Sequence, residues 1–185
     1  NGATRLQPVV VQLGEAAGAL AALACIEDKS VKEIGVRQVQ EKLLEAGCYI
    51  MPYLDLLKSD PHFKALQRIG ATGVLRGEGR NVGWSNETWF RADEPLRGEE
   101  IYASELYGAI TVEPGEISVG RMLELVRSYG GRVPYGKMAD WWKQLGLNDF
   151  NVDRTATRLE TAVVIDAAFD PFGMFEVDYK GCFTR

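Results

Sequence analysis

A chain of 185 residues, 46% hydrophobic and 25% charged, has the balance of a folded globular protein and room for one or two compact domains. Its net charge of -5, with Lys and Arg scattered among acids, excludes the basic stripe that a nucleic-acid partner requires. Three widely spaced cysteines, Cys25, Cys48 and Cys182, exclude a disulfide framework or zinc knuckle.

Residues 8–26 read as one apolar helix with a surface of small residues, Gly14, Ala16, Ala17, Gly18, Ala19, Ala21, Ala22 and Ala24. Small side chains bury little area of their own, so this helix calls for a large partner surface. The longest apolar run, around Ala16–Ile26, is read as too short to span a membrane. A second helix over 36–46 carries Val36, Val39 and Leu43 on one side, with Gly47 as its stop. Asp60-Pro61 suits a helix start, and that helix presents Phe63, Leu66 and Ile69. Residues 76–98, rich in Gly and Asn with Trp84, Trp89 and Phe90, read as a long ordered loop. Helices are expected near 98–109, around Val119–Val126 (ended by Gly130-Gly131), over 136–146 and over 157–168, with a strand-like tail in 172–183.

Two stretches echo each other. In Phe150-Asn151-Val152-Asp153, leading to Thr157-Arg158-Leu159-Glu160, an aromatic is followed three residues later by Asp, and a basic–acidic pair opens a helix. In Phe90-Arg91-Ala92-Asp93, leading to Leu96-Arg97-Gly98-Glu99, the same order appears. That recurrence predicts a repeated helix–loop–helix module.

The segments Arg5-Leu6-Gln7-Pro8, Gly14-Glu15-Ala16-Ala17-Gly18-Ala19-Leu20-Ala21-Ala22, Val39-Gln40-Glu41-Lys42-Leu43-Leu44 and Pro52-Tyr53-Leu54-Asp55 resemble the C-terminal end of a bacterial family of FAD-dependent oxidoreductases. The resemblance implies that the Gly14, Glu15, Ala16, Ala17, Gly18 helix points its N-terminus at the flavin in the full-length protein. The chain has no Gly-x-Gly-x-x-Gly after a strand, so the dinucleotide-binding part is expected before residue 1, and this fragment alone is expected to hold no cofactor. Residues 53–172, with Asp55, Phe63 to Gly70, Gly73 to Gly77, the two echoing stretches and a middle copy around Ile110–Ser128, resemble S-layer homology modules. That resemblance implies a pseudo-threefold helical bundle, attachment to polysaccharide, and an arginine offered to an anionic sugar. Arg158 fits that part. Gly98 departs from the family's small apolar position, and the middle copy lacks the Arg-Glu pair.

The candidate carbohydrate-binding residues are therefore Arg158, Glu160, Arg97, Trp84 and Trp89. Arg158 has a planar fork for a carboxylate; the alternative is an ion pair to Glu160 or a neighbouring helix, with Thr157 as a simple N-cap. Tryptophan faces suit pyranose rings, although core packing is the commoner fate. Asp149, Asn151, Asp153 and Glu160 also occupy the first, third, fifth and twelfth positions of a calcium loop. Arg154 stands where the loop needs Gly, and no metal site is expected. His62 is read as a capping residue, and no nucleophile motif or carboxylate pair marks a reaction centre.

The expectation is a mainly α protein: a helical segment over 1–52 and an S-layer homology-like bundle of helix–loop–helix repeats over 53–185, with a short β tail. We read it as a non-catalytic C-terminal binding or scaffold module of a larger secreted bacterial protein, extracytoplasmic, its leader absent. It docks to polysaccharide or to the larger protein's own N-terminal domain, with no nucleic acid and no membrane span. The alternative is a part of an FAD-dependent oxidoreductase or polysaccharide-processing enzyme.

Overall fold

The computed structural model describes residues 7–104, 108 and 110–184. The chain forms two compact units, Asn1–Ile50 with Phe175–Arg185, and Met51–Met174. The C-terminal tail thus groups with the N-terminal segment, whereas the sequence reading placed it with the repeats. The fold is mainly helical.

In the first unit α1 (Gln7–Glu27) packs against α2 (Val36–Glu45) through Leu20, Leu23, Ala24, Ile34 and Val39. On α1 these contacts, Leu20, Leu23 and Ala24, lie at its C-terminal end. Along the rest of α1, Val10, Val11 and Leu13 are more than half exposed. The helix extends beyond the apolar run read from sequence, because Val9, Val10, Val11 and Leu13 continue it upstream and Glu15 is its only charge before Glu27. By length and composition alone it is therefore long and apolar enough to cross a membrane, with mean hydropathy 1.9 over its most apolar window. Arg37 of α2 is buried, its Nε donating to the Phe175 carbonyl (3.2 Å). Beside it, the tail forms the short hairpin β3 (Glu176–Val177) and β4 (Phe183–Thr184), paired antiparallel.

The second unit begins at a strap. The buried Gln67 side chain of α3 (Phe63–Thr72) accepts from Met51 N–H (2.7 Å) and donates to the Met51 carbonyl (3.0 Å), satisfying one peptide unit with one amide. Asp60 does not cap α3 as expected. Its carboxylate accepts from His62 N–H, and the His62 ring bonds the Leu145 carbonyl (3.0 Å).

The stretch read as a loop is in fact a β-hairpin, β1 (Glu78–Val82) and β2 (Ser85–Trp89), closed by the two residues Gly83 and Trp84. Gly83 has φ 60. A tight hairpin turn with Gly first accepts almost any second residue. Of the helix expected near 98–109, the described residues show a 3-10 turn over Gly98–Glu100 and a helical residue at Ser104; residues 105–107 and 109 lie outside the described residues. Three helices match their expected places, α4 (Val119–Ser128), α5 (Met138–Gln144) and α6 (Arg158–Phe169); the short α7 (Pro171–Met174) instead takes the start of the stretch read as a strand-like tail. Arg68 of α3 joins α6 and α7, bonding Asp166 (Nε to Oδ1, 2.9 Å) and Asp170 while lying over the Phe172 ring.

At the centre, three chain segments bond one another in a ring. Leu96 N–H donates to the Ala156 carbonyl (2.7 Å), Ala156 N–H to the Ile117 carbonyl (2.9 Å), and Ile117 N–H to the Leu96 carbonyl (3.1 Å). All three side chains are buried. Two residues after each ring member, the first N–H of the following helical turn donates to the neighbouring segment: Gly98 to Gly115, Val119 to Arg154, Arg158 to Glu94 (2.9–3.0 Å). Each helix start thereby has its orphan donors met by an adjoining loop. The arrangement is pseudo-threefold, and it fixes the correspondence between copies. Leu96 matches Ala156, so Arg97 matches Thr157, Gly98 matches Arg158, and Glu100 matches Glu160. The sequence reading had paired Arg97 with Arg158, one residue out of step.

Candidate functional site

The capping pattern at the ring is reciprocal in the third copy, and the first copy shares its carboxylate half. The Glu160 carboxylate accepts from Thr157 N–H (2.9 Å) while Thr157 Oγ1 accepts from Glu160 N–H (3.2 Å); Glu100 likewise accepts from Arg97 N–H (3.1 Å). The Thr157/Glu160 pair is a reciprocal cap of the S/T-x-x-E type. The conserved-looking echo in the chain is therefore accounted for by helix starts.

Arg158, the foremost sugar-binding candidate, is buried at 3% exposure. Its Nε donates to the Phe90 carbonyl (2.9 Å), one terminal nitrogen to Glu100 (2.8 Å) and the other to the Arg76 carbonyl (2.7 Å), and its plane covers the Phe90 ring at 5.2 Å. A guanidinium engaged this fully ties the third copy to the first and leaves no fork for a carboxylate. Of the two sequence readings, ion pairing to a neighbouring segment with Thr157 as cap is the one the geometry matches, with Glu100 rather than Glu160 as partner.

Glu160 is buried and holds Arg154 (2.9 and 2.5 Å). Beside it Asp149, Asn151 and Asp153 are exposed, Asn151 accepts from Asp153 N–H, and the Asp149 carbonyl accepts from Arg154. The cation at Arg154 occupies the side of the loop where a calcium ion would sit. Among the described residues no group of three or more His, Cys, Asp or Glu is placed to hold a metal.

Arg97 is exposed and paired with Glu99 (2.7 Å). The Glu99 carboxylate also accepts from Gly115 N–H (2.8 Å), and these contacts, Gly115 first, pull its pKa down to about 2. The structure does not bring Arg97 and Arg158 to one surface, because they hold different register positions. Trp89 is half-buried, with Arg91 over its ring at 4.9 Å. Trp84 stands fully in solvent at the tip of the hairpin. Trp142 is buried and donates to the Asn148 carbonyl, while its neighbour Trp141 is half-buried.

Asp55 and Tyr53 are residues whose roles the sequence reading missed. The Asp55 carboxylate accepts from both Phe90 N–H (2.8 Å) and Arg91 N–H (2.7 Å), holding Arg91 at φ 61. Tyr53 meets Phe90 edge-on at 5.2 Å. Burial pushes its hydroxyl up to about 12, far above the range of a proton carrier near neutrality. The recess lined by Val74, Ile101, Met122, Leu125, Ile165 and Phe169 is apolar apart from Tyr129 and Thr161, and among the described residues no carboxylate, histidine or cysteine lines it.

In the first unit Gly14, Glu15, Ala17 and Gly18 are exposed and Ala16 half-buried, and a Cβ added at either glycine would meet nothing within 4 Å. These residues lie about two turns into α1, so their N–H groups belong to the helical ladder. Within α1 as described, Gln7–Glu27, the run lies past the first turn. Gly14 and Gly18 fit close approach by a neighbour but do not fit direct anion capture.

Compared with known proteins, residues 1–43 match the model of the FAD dependent oxidoreductase family, which covers α1 and most of α2. No curated protein and no solved structure matches the chain significantly.

Proposed function

We propose that this chain is the C-terminal part of an FAD-dependent oxidoreductase, in which α1 and α2 complete the flavoprotein body and Met51–Met174 is a non-catalytic binding module. The observation that carries this reading is the family match over residues 1–43, which falls on a helix whose small and apolar residues lie largely exposed. FAD would supply the redox chemistry and be held by residues outside this chain; α1 would contribute a closely packed wall. The module's part rests on the ring of Leu96, Ala156 and Ile117, which supports the likeness to S-layer homology repeats and, with it, docking to polysaccharide in an extracytoplasmic setting.

The test is the absorbance spectrum of the purified larger protein, with and without Gly14→Leu and Gly18→Leu together. A flavin band that the double variant weakens is expected, because bulk on α1 would hold off its neighbour. A protein that is colourless and takes up no added FAD refutes the reading.

A further inference from the structure

The pseudo-threefold unit is interrupted at one place. In the third copy Phe150 follows the last residue of α5, Gln144, by 6 positions; in the first copy Phe90 follows the last residue of α3, Thr72, by 18. The excess, 18 - 6 = 12 residues, equals the length of the hairpin from Glu78 to Trp89. The hairpin is thus an addition to a fold that closes without it in another copy. Its turn requires Gly83 but places no demand on the next residue, and that residue is Trp84, at 107% relative exposure. Trp84 supports neither the turn nor a core, and with Val82, itself exposed, it makes the tip an apolar contact surface.

The charge pattern narrows the surface. Arg80, the only cation within 78–89, is paired with Glu78 (2.7 Å), and Glu87 accepts from the Trp89 indole (3.1 Å). From Asn81 to Asn86 the tip carries no formal charge, and Asn81 and Asn86 stand opposite each other across the strands, both exposed. An exposed indole on a hairpin tip that also carries Asn81, Ser85 and Asn86 and no charge complements a ligand with one apolar face and uncharged hydroxyls. A phospholipid surface would favour unpaired cations, and an acidic sugar would too.

We propose that the hairpin tip is a docking site for neutral polysaccharide, with Trp84 stacking on a pyranose ring and Asn81, Ser85 and Asn86 exchanging hydrogen bonds with its hydroxyls. The proposal rests on the binding-module reading above but uses none of its flavin part, and it moves sugar contact away from Arg158.

The experiment is native electrophoresis of the whole protein through gels containing hydroxyethyl cellulose or galactomannan, with flavin absorbance recorded on the same samples. Wild type is retarded in a neutral gel; Trp84→Ala weakens that binding on the order of tenfold with an unchanged melting temperature. Asn81→Ala with Asn86→Ala weakens it severalfold. No retardation in either gel, equal retardation of Trp84→Ala, or Trp84-dependent capture by anionic phospholipid vesicles or a protein instead would each overturn the proposal. A normal flavin band beside any of those results leaves the flavoprotein reading standing, and retardation without flavin does the reverse.

Discussion

Replacing Arg158 by alanine removes the donor to two backbone carbonyls, Phe90 and Arg76, and to the Glu100 carboxylate. The Phe90 side chain beneath it is fully buried, so a void replaces the guanidinium. Breaking a buried charged pair from one side costs about 3–5 kcal/mol, and each buried carbonyl left without a donor about 1–3 kcal/mol. These costs overlap, and Glu100 at 33% exposure regains some water, so we expect a total of about 3–5 kcal/mol. In a unit of this size that lowers the melting temperature by roughly 10–20 °C. Arg158→Lys keeps one point donor in place of a fork and recovers less than half. Urea unfolding of the whole chain, followed by tryptophan fluorescence, measures the loss. A change below about 1 kcal/mol, the size of a surface ion pair, would refute the assignment of Arg158 as the tie between first and third copies.

Three further outcomes are expected. Gln67→Leu leaves the Met51 N–H without an acceptor, while the Met51 carbonyl keeps the Tyr53 N–H (2.9 Å); it lowers unfolding free energy by about 1–3 kcal/mol, with faster amide exchange at Met51 by NMR. Gly98→Ala drives a methyl against the Glu113 carbonyl and Val112 and destabilises by about 1–3 kcal/mol in thermal melts; an unchanged melt would mean the two segments separate freely. Glu99 ionises below its ordinary range in the folded chain, so its contribution is complete above about pH 4.5 and lost as pH falls towards about 2. The stability gap between wild type and Glu99→Gln, measured by denaturant titration, should therefore narrow over that window and stay constant above it.

Much of the helical framework was legible because it is local. α2 and α4 show apolar residues at three- and four-residue spacing, and Gly130-Gly131 and Gly47 mark ends that backbone geometry confirms, with Gly47 and Gly130 at positive φ. The hairpin was missed although Val82-Gly83-Trp84-Ser85 carries a Gly-first turn signal between alternating residues; the density of Gly and Asn outweighed it. The role of Arg158 was not legible, since its partners lie 58 to 82 positions away and depend on closure of the unit. The register error had the same source. An Arg-Glu pair looked like the unit of repetition, whereas the repeated element is a bare N–H and C=O at Leu96, Ile117 and Ala156, which no side chain announces.

That mutual bonding decides how the second unit comes apart. In a stacked array the terminal member can be lost and the rest persists. Here each segment gives to one neighbour and receives from the other, so there is no terminal member. Cutting away any one leaves an unmet donor and an unmet acceptor in the interior of the two that remain. Residues 51–174 should accordingly melt in a single step, and a polypeptide halted short of Ala156 has nothing to settle into until the last segment is made.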